Sequence, residues 1–222
     1  MNRREFLKKA AVGSIALASF PTLGKALATA ASADGQADHV RWDIISINFP
    51  TTTFSPDGVA FASAITGSAP SALKIRLTGS GTFVAPASGK TSRAVTGGGT
   101  WETFGPGGVS TGSGTYRVTG LASWQFASLQ TGTFIDLIGD TNERANGTAV
   151  LRIEYSDGSR GILGVGCHGP GAPDGIQEGV IATKDFVTYW TGEVPVPGVD
   201  KNRTLFHVRQ KGDDTVKEDS GS

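Results

Sequence analysis

Three glycine-rich stretches constrain the fold of this chain more than any other feature. GSGTF begins at Gly79, GGGTW at Gly97 and GSGTY at Gly112, and each reads Gly-x-Gly-Thr-aromatic. In a β-strand alternate residues face the same side, so the two glycines and the ring of each motif share one face. A ring on one strand then covers the bare glycine of its neighbour, which permits the tight coiling that a barrel requires. The alternative interpretation is a glycine-floored, ring-walled cleft that holds a ligand.

Short runs rich in β-branched and aromatic residues, separated by Gly, Asp and Pro, follow one another along the chain and predict strands. The clearest hairpin is LRIEYSDGSRGILGV, in which Leu151, Ile153 and Tyr155 alternate with polar residues and Asp157-Gly158 supplies the turn. Helix signals are confined to single turns at 141–146 and 184–190.

Many short strands without alternating helices are typical of an all-β domain. We therefore predict an antiparallel, closed or nearly closed β-barrel of about nine to eleven strands, with a β-sandwich as the alternative. The domain is expected to span residues 34–208. The polar tail 209–222 has no apolar anchor beyond Val216 and is predicted to be disordered.

The first 33 residues have the layout of an export signal: a basic start, an apolar stretch over 10–20 and then small residues. The segment RREFLK resembles the twin-arginine signal motif, whose consensus is Arg-Arg-x-Phe-Leu-Lys. The resemblance implies that the twin-arginine export machinery recognises Arg3, Arg4, Phe6 and Leu7 of that motif.

Cleavage of this signal is expected after Ala28 or Ala33, because each closes an Ala-x-Ala triplet of small residues. The apolar stretch is far shorter than the roughly 20 residues of a membrane helix, so no membrane span is expected in the mature form. The resemblance further implies a product that folds before export and is periplasmic or secreted. The single cysteine, Cys167, allows no internal disulfide, so packing must supply the stability.

The net charge of the chain argues against nucleic acid as a partner. The chain has 20 basic and 20 acidic residues, and the first 33 residues hold five of the basic and one of the acidic. Residues 34–222 therefore keep 15 basic and 19 acidic residues, a net charge of −4. A mildly acidic domain lacks the basic footprint of a nucleic-acid-binding protein.

No metal or other cofactor is predicted. The three histidines, His39, His168 and His207, are isolated in the sequence and show no metal-ligand spacing. The acidic loop around 136–143 fits no known calcium-loop register.

The candidate catalytic cluster centres on His168. Leu163, Val165 and Cys167 share the apolar side of a predicted strand, so Cys167 is expected in the core and His168 on the opposite face. At the end of that strand His168 can meet Asp174 or Glu178 from the following loop, forming a His–carboxylate pair. The competing interpretation is a surface histidine at a strand end.

Aromatic residues supply the candidate ligand-binding set. Tyr189 and Trp190 precede a proline-rich loop, and Trp101 and Tyr116 end two of the glycine motifs. At the mouth of a barrel such amphipathic rings suit a small apolar or sugar-like ligand. The competing interpretation is that the rings plug the barrel.

Two further resemblances concern the fold alone. GTYRVTG is similar to the glycine-rich strands of allene oxide cyclase and dirigent-type barrels, which favours a barrel. Strings such as RWDII and LRIEYSDGS resemble uncharacterised exported bacterial all-β proteins, and that resemblance implies no activity.

Three functions remain open at this stage. The leading one is a small-ligand-binding module, because eight or more strands can enclose a cavity. The second is a cofactor-free hydrolase, lyase or cyclase that uses the His168–carboxylate pair. The third is a structural or protein-interaction domain with a filled core. A void lined by rings would favour the first, and an imidazole beside a carboxylate in a cleft would favour the second.

Overall fold

A computed structural model describes residues 38–66, 69–85 and 91–209. The predicted signal 1–33 and residues 210–222 of the predicted tail lie outside the described residues. Within the described ranges there is no α-helix, and no helix is long and apolar enough to cross a membrane. Two single 3-10 turns lie at Pro106–Gly108 and Thr141–Glu143, the second of them inside the turn predicted at 141–146.

The described residues form fourteen strands, which confirms the all-β prediction. In chain order they are β1 (Asp38–Asn48), β2 (Thr53–Ser55), β3 (Ala60–Thr66), β4 (Ala69–Leu77), β5 (Ser80–Ala85), β6 (Gly98–Phe104), β7 (Ser110–Leu129), β8 (Ile135–Asp136), β9 (Arg144–Tyr155), β10 (Arg160–Cys167), β11 (Gly179–Lys184), β12 (Val187–Tyr189), β13 (Thr191–Gly192) and β14 (Arg203–Arg209).

Six of these strands close an antiparallel barrel in the order β1-β5-β6-β7-β9-β14, with β14 returning to β1. The predicted closed antiparallel barrel is thereby confirmed. Six strands close it, fewer than the nine to eleven expected, and the remaining strands extend it. The predicted hairpin also forms: β9 pairs with β10 around Gly158, whose φ of +87° is the left-handed conformation that the turn needs.

Two extensions leave the barrel. β10, β11 and β12 continue the sheet beyond β9, while β4, β3 and β13 continue it beyond β6. β12 and β13 are adjacent in the chain, so the short segment 187–192 pairs with β11 of the first extension and with β3 of the second. The helical turn predicted at 184–190 is wrong. The chain there forms the β11–β12 hairpin, whose tip residue Phe186 is 94% exposed and so has no core to pack against.

Aromatic side chains fill the centre of the barrel. The ring centroids of Phe83 and Trp124 lie 5.4 Å apart, and those of Trp124 and Phe206 lie 4.7 Å apart. These residues belong to β5, β7 and β14, none of which are neighbours, so the rings meet across the barrel. Trp42, opposite Phe206 in the register, is fully buried beside them. The barrel is therefore a packed core.

The glycine motifs have a structural role, because they let rings and backbones of neighbouring strands pack closely. A Cβ placed on Gly114 would lie 3.0 Å from Nε1 of Trp101, and one on Gly79 would lie 2.4 Å from the hydroxyl of Tyr116. The ring of one motif thus covers a glycine of another, as predicted. Gly81 and Gly97 face each other backbone to backbone, because a Cβ on Gly97 would lie 2.4 Å from the Cα of Gly81. No larger residue fits at this contact.

Candidate functional site

Two pockets lie on the outer face of the β1–β14 pair. Trp42 and its alternate neighbours in β1 face the barrel centre, so the residues between them face outward. The outward row consists of Arg41, Asp43 and Ile45 on β1, opposite His207, Leu205 and Arg203 on β14. One pocket lies at the Arg203 end of this row, and the other lies at the His207 end.

The segment 130–143 crosses this outer face and separates the two pockets. The ring of Phe134 stacks on that of Phe54 at 4.8 Å, and the amide of Ile135 donates to the carbonyl of Thr52 at 3.2 Å. Further along, β8 places Asp136 against His207, with 3.0 Å between Oδ2 and Nε2. The segment is therefore held to both β2 and β14.

The pocket at the Arg203 end has a volume of about 440 Å³, which lies in the range of about 300–1,000 Å³ that small-molecule sites occupy. Most of its wall is apolar and comes from β1, β2, β14 and the 130–143 segment. The apolar side chains include Ile45, Ile47, Phe49, Phe54, Phe134, Pro170 and Leu205. We call this cavity the aromatic pocket.

Glu178 stands at the polar end of the aromatic pocket and is fixed by backbone donors. Its carboxylate accepts the amide of His168, the amide of Thr204 at 2.8 Å and the hydroxyl of Thr204 at 3.3 Å. Burial raises the pKa of Glu178, while these hydrogen bonds and the charge of Arg203 oppose the rise. The carboxylate joins the end of β10 to the start of β14.

Arg203, also at the polar end, is the least satisfied charged group of the aromatic pocket. Its guanidinium lies over the ring of Phe49, 5.7 Å from the centroid. Its Nε is buried without a hydrogen-bond partner, and no carboxylate of the described residues forms an ion pair with it. The Arg203 side chain therefore keeps unused donor capacity beside an apolar cavity.

Cys167 lines the floor of the aromatic pocket and is 1% exposed. Its thiol donates to the carbonyl of Thr204 at 3.2 Å and accepts from Nε2 of Gln130 at 3.1 Å. Burial raises the pKa of Cys167 well above its ordinary value, so the thiol stays protonated. The prediction of a core cysteine is confirmed.

The structure brings together two of the three residues of the predicted catalytic cluster. His168 and Glu178 both line the aromatic pocket, but the group of His168 that bonds the carboxylate is its backbone amide. The imidazole is exposed and has no hydrogen-bond partner among the described residues. Asp174 is exposed in the loop between β10 and β11 and does not line the pocket. The strand end turns the main chain, not the ring, toward Glu178.

The four predicted ligand-binding rings lie elsewhere. Trp101, Tyr116 and Tyr189 are 5%, 4% and 4% exposed and belong to the packed core, whereas Trp190 is 54% exposed. The Tyr116 hydroxyl donates to the carbonyl of Thr78 at 2.8 Å, and Trp101 Nε1 donates to that of Thr115 at 3.1 Å. None of the four lines the aromatic pocket. Closure of the barrel turned Trp101 and Tyr116 onto glycines of the other motifs.

The pocket at the His207 end has a volume of about 430 Å³ and a charged lining that includes Arg41, Glu143 and Arg209. Its charged groups are already paired. Arg41 binds Asp43 through two bonds of 2.8 Å, and Arg209 binds Glu143 at 3.2 Å. Nε2 of His207 is bonded to Asp136, and its Nδ1 is buried without a hydrogen-bond partner. This pocket is therefore the weaker candidate site.

Reasoning from the sequence missed the residues that form the aromatic pocket, although a signal for part of it was present. In ISINFPTTTF, residues 45–54, the side chains of Ile45, Ile47 and Phe49 alternate, which marks a second apolar face on a strand whose other face carries Trp42. An apolar outer face on a barrel strand indicates a covered surface or a binding site. No pattern in the sequence indicated that Arg203 lines this pocket.

No group of three or more metal-binding side chains occurs in the described ranges. No protein-family model, curated protein or solved structure matches this chain.

Proposed function

We propose that this protein is a binding module for a small, largely apolar ligand, and that the aromatic pocket is the site. The observation that carries the proposal is a cavity of about 440 Å³ with three phenylalanine rings in its wall and polar groups at one end. Binding sites for small molecules combine a mostly apolar wall with a few convergent polar groups. Glu178 and Arg203 are those groups here.

The site lies outside the barrel centre. The rings of Phe83, Trp124 and Phe206 fill that centre, so the site differs in place from a cavity enclosed by the strands. Strands β1, β10 and β14 supply part of its lining, and the 130–143 segment and the turn before β2 supply another part. A scaffold of strands with loops at the rim is suited to holding a binding site in one geometry.

The enzyme alternative has less support. A hydrolase, lyase or cyclase of the expected kind needs the His168 imidazole within hydrogen-bond reach of a carboxylate. Glu178 is instead bonded to two backbone amides and the Thr204 hydroxyl, which is the environment of a carboxylate that anchors loops. We therefore assign Glu178 a positioning role in the binding site.

The location of this activity is proposed from the sequence. We propose that the twin-arginine export machinery recognises Arg3 and Arg4 and that the binding module works in the periplasm or outside the cell. A binding module that needs no disulfide and folds before export fits a chain with one buried cysteine.

The binding proposal is tested with phenylnaphthylamine, a neutral dye whose fluorescence rises in apolar sites. Ile47 is partly buried and lines the pocket, so Ile47→Trp fills part of the cavity. We expect the protein to enhance the dye's fluorescence and Ile47→Trp to reduce dye affinity about tenfold or more. A tenfold reduction corresponds to a loss of roughly 1.4 kcal/mol of binding free energy. Ile65→Trp, on β3 and away from the pocket, is the matched control.

Native mass spectrometry of protein purified from its own host, compared with the denatured mass, would identify a retained ligand directly. A dye that does not bind, or that binds Ile47→Trp and Ile65→Trp equally well, would overturn the proposed site.

A further inference from the structure

Resting on the proposed binding function, we infer that the ligand of the aromatic pocket carries an anionic group, specifically a carboxylate, and that Arg203 binds it. The ligand class is an apolar monocarboxylic acid. Its carbon skeleton lies against the phenylalanine rings, and its carboxylate lies at the polar end.

The first argument is the unsatisfied state of Arg203. A buried donor without a partner costs about 1–3 kcal/mol, and the cost is higher for a charged group. Nε of Arg203 is such a donor, and no carboxylate among the residues described here lies within ion-pair distance of its guanidinium. Nε itself is closed to solvent, but the two terminal nitrogens of Arg203 are not among the buried unpaired atoms and have no hydrogen-bond partner among the described residues. A ligand carboxylate in the pocket would bind these two nitrogens together, as the planar fork of arginine allows.

The second argument is that Glu178 is not the missing partner. Both of its oxygens are used: one accepts the amide of His168, and the other accepts the amide and the hydroxyl of Thr204. Its charge acts on Arg203 through space, yet the two side chains form no ion pair. The backbone donors hold Glu178 in place, so the guanidinium remains available.

The third argument is the geometry of the wall around Arg203. The guanidinium lies over the ring of Phe49, which orients its plane without using its N–H groups. Ile45 is the register partner of Arg203 across the β1–β14 pair, and it lines the pocket next to Ile47. A ligand with its charge at Arg203 therefore has apolar surface directly beside its charged end.

The other polar groups of the site do not favour a neutral sugar. The exposed imidazole of His168, the amide of Gln130 and the hydroxyl of Thr204 are the other polar side chains beside Glu178 and Arg203. Gln130 donates to Cys167, and the Thr204 hydroxyl donates to Gly166 and Glu178. Thr52 lies at the rim. A sugar would need many hydrogen-bond partners along its length, whereas this pocket concentrates its polar atoms at one end.

The test compares matched pairs of probes on the full protein by isothermal titration calorimetry. Decanoate is paired with decanol, and naphthoate with naphthamide, so that each pair shares a body and differs in charge. We expect the carboxylate of at least one pair to bind about 10- to 100-fold more tightly than its neutral partner, as a charge-assisted hydrogen bond allows.

Variants connect the preference to Arg203. Arg203→Gln should reduce the affinity ratio of the carboxylate probe to its neutral partner to nearly one. Arg203→Lys should keep part of this preference through its charge, but it loses the bidentate geometry. Arg209→Gln, on the same strand but paired with Glu143 outside the aromatic pocket, should leave the preference unchanged. Thermal unfolding of each variant shows whether it is folded.

The outcomes separate this inference from the proposal on which it rests. If neutral and charged probes bind the pocket equally well, the binding function stands and the carboxylate assignment is overturned. If Arg203→Gln keeps the full preference while folded, the assignment to Arg203 is overturned. If none of the four probes binds, the proposed function fails, and the inference fails with it.

Discussion

His207 on β14 and Asp136 on β8 form a hydrogen bond that is almost completely withdrawn from solvent, with 3.0 Å between Nε2 and Oδ2. Their side chains are 3% and 0% exposed. Asp136 also accepts the amides of Ile138 and Gly139 at 2.9 and 3.2 Å. This carboxylate thereby anchors the segment that separates the two outer pockets.

The first prediction concerns acid stability. Burial raises the pKa of Asp136, but the hydrogen bonds from His207 and the two amides outweigh it, and the pKa lies below its ordinary value of 3.8. A folded-state pKa below the unfolded one stabilises the protein above about pH 4, and this stabilisation is lost as pH falls through the folded value.

Asp136→Asn should therefore lower the free energy of unfolding at pH 7 by about 1–3 kcal/mol, because buried donors lose a charged acceptor. The difference in the free energy of unfolding between Asp136→Asn and the native protein should be smaller at pH 3 than at pH 7. Urea unfolding at both pH values measures it, and an equal difference at pH 7 and pH 3 would contradict the assignment.

The second prediction concerns the cover of glycine by tryptophan. A Cβ on Gly114 would lie 2.3 Å from Oγ of Ser156 and 3.0 Å from Nε1 of Trp101, so Gly114→Ala overpacks the β6–β7 interface. We expect a loss of about 1–3 kcal/mol in urea unfolding. Gly120→Ala, in the same strand, meets its nearest atom at 3.5 Å and should change stability far less. Equal effects of the two substitutions would refute the architectural role of the motif.

The third prediction concerns Lys184, whose side chain is 9% exposed. Its Nζ lies 4.4 Å from the centroid of the Trp101 ring and 4.9 Å from that of Tyr155, and it donates to Asp157. The hydrogen bond from Lys184 is the largest cause that lowers the pKa of Asp157 to about 2.

In Lys184→Met the pKa of Asp157 should rise toward 3.8, and only the bonds from Ser159 should still hold it down. NMR titration of the Asp157 carboxyl carbon reads this pKa directly. Lys74→Met, which removes a lysine of β4 that is paired with Glu193 rather than Asp157, is the control and should leave the Asp157 titration unchanged.

The fourth prediction concerns export. Changing Arg3 and Arg4 together to lysine keeps the charge of the N-terminal segment but removes the arginine pair of the motif. We expect the full-length precursor to accumulate in the cytoplasm of the host, as judged by fractionation and immunoblotting. Lys9→Arg, outside the motif, should be exported normally. Unchanged export of the double variant would remove the support for the twin-arginine proposal.

Local patterns in the sequence were sufficient to predict the barrel. The period-2 alternation of Leu151, Ile153 and Tyr155 marks a strand without reference to any distant residue. The Gly-x-Gly-Thr-aromatic spacing likewise puts the ring and the glycines on one face of their own strand. Trp101 therefore covers Gly114 as soon as the two strands pair with a stagger.

The site required the tertiary structure because its members are distant in sequence. Ile45 and Arg203 become neighbours only through the β1–β14 pairing that closes the barrel, and Phe134 reaches Phe54 only because the 130–143 segment crosses the outer face. The spacing of His168 and Glu178 predicted that they would meet. It could not show that a backbone amide would make the contact, since that depends on how the chain leaves β10.

What the sequence by itself determined is therefore the strand content and the faces of each strand, since both follow from the alternation of adjacent residues. Only the tertiary structure decided which face became the barrel centre and which became a pocket. That choice depends on closure, which turned Trp101 and Tyr116 onto glycines and left the guanidinium of Arg203 beside an apolar cavity without a partner among the described residues.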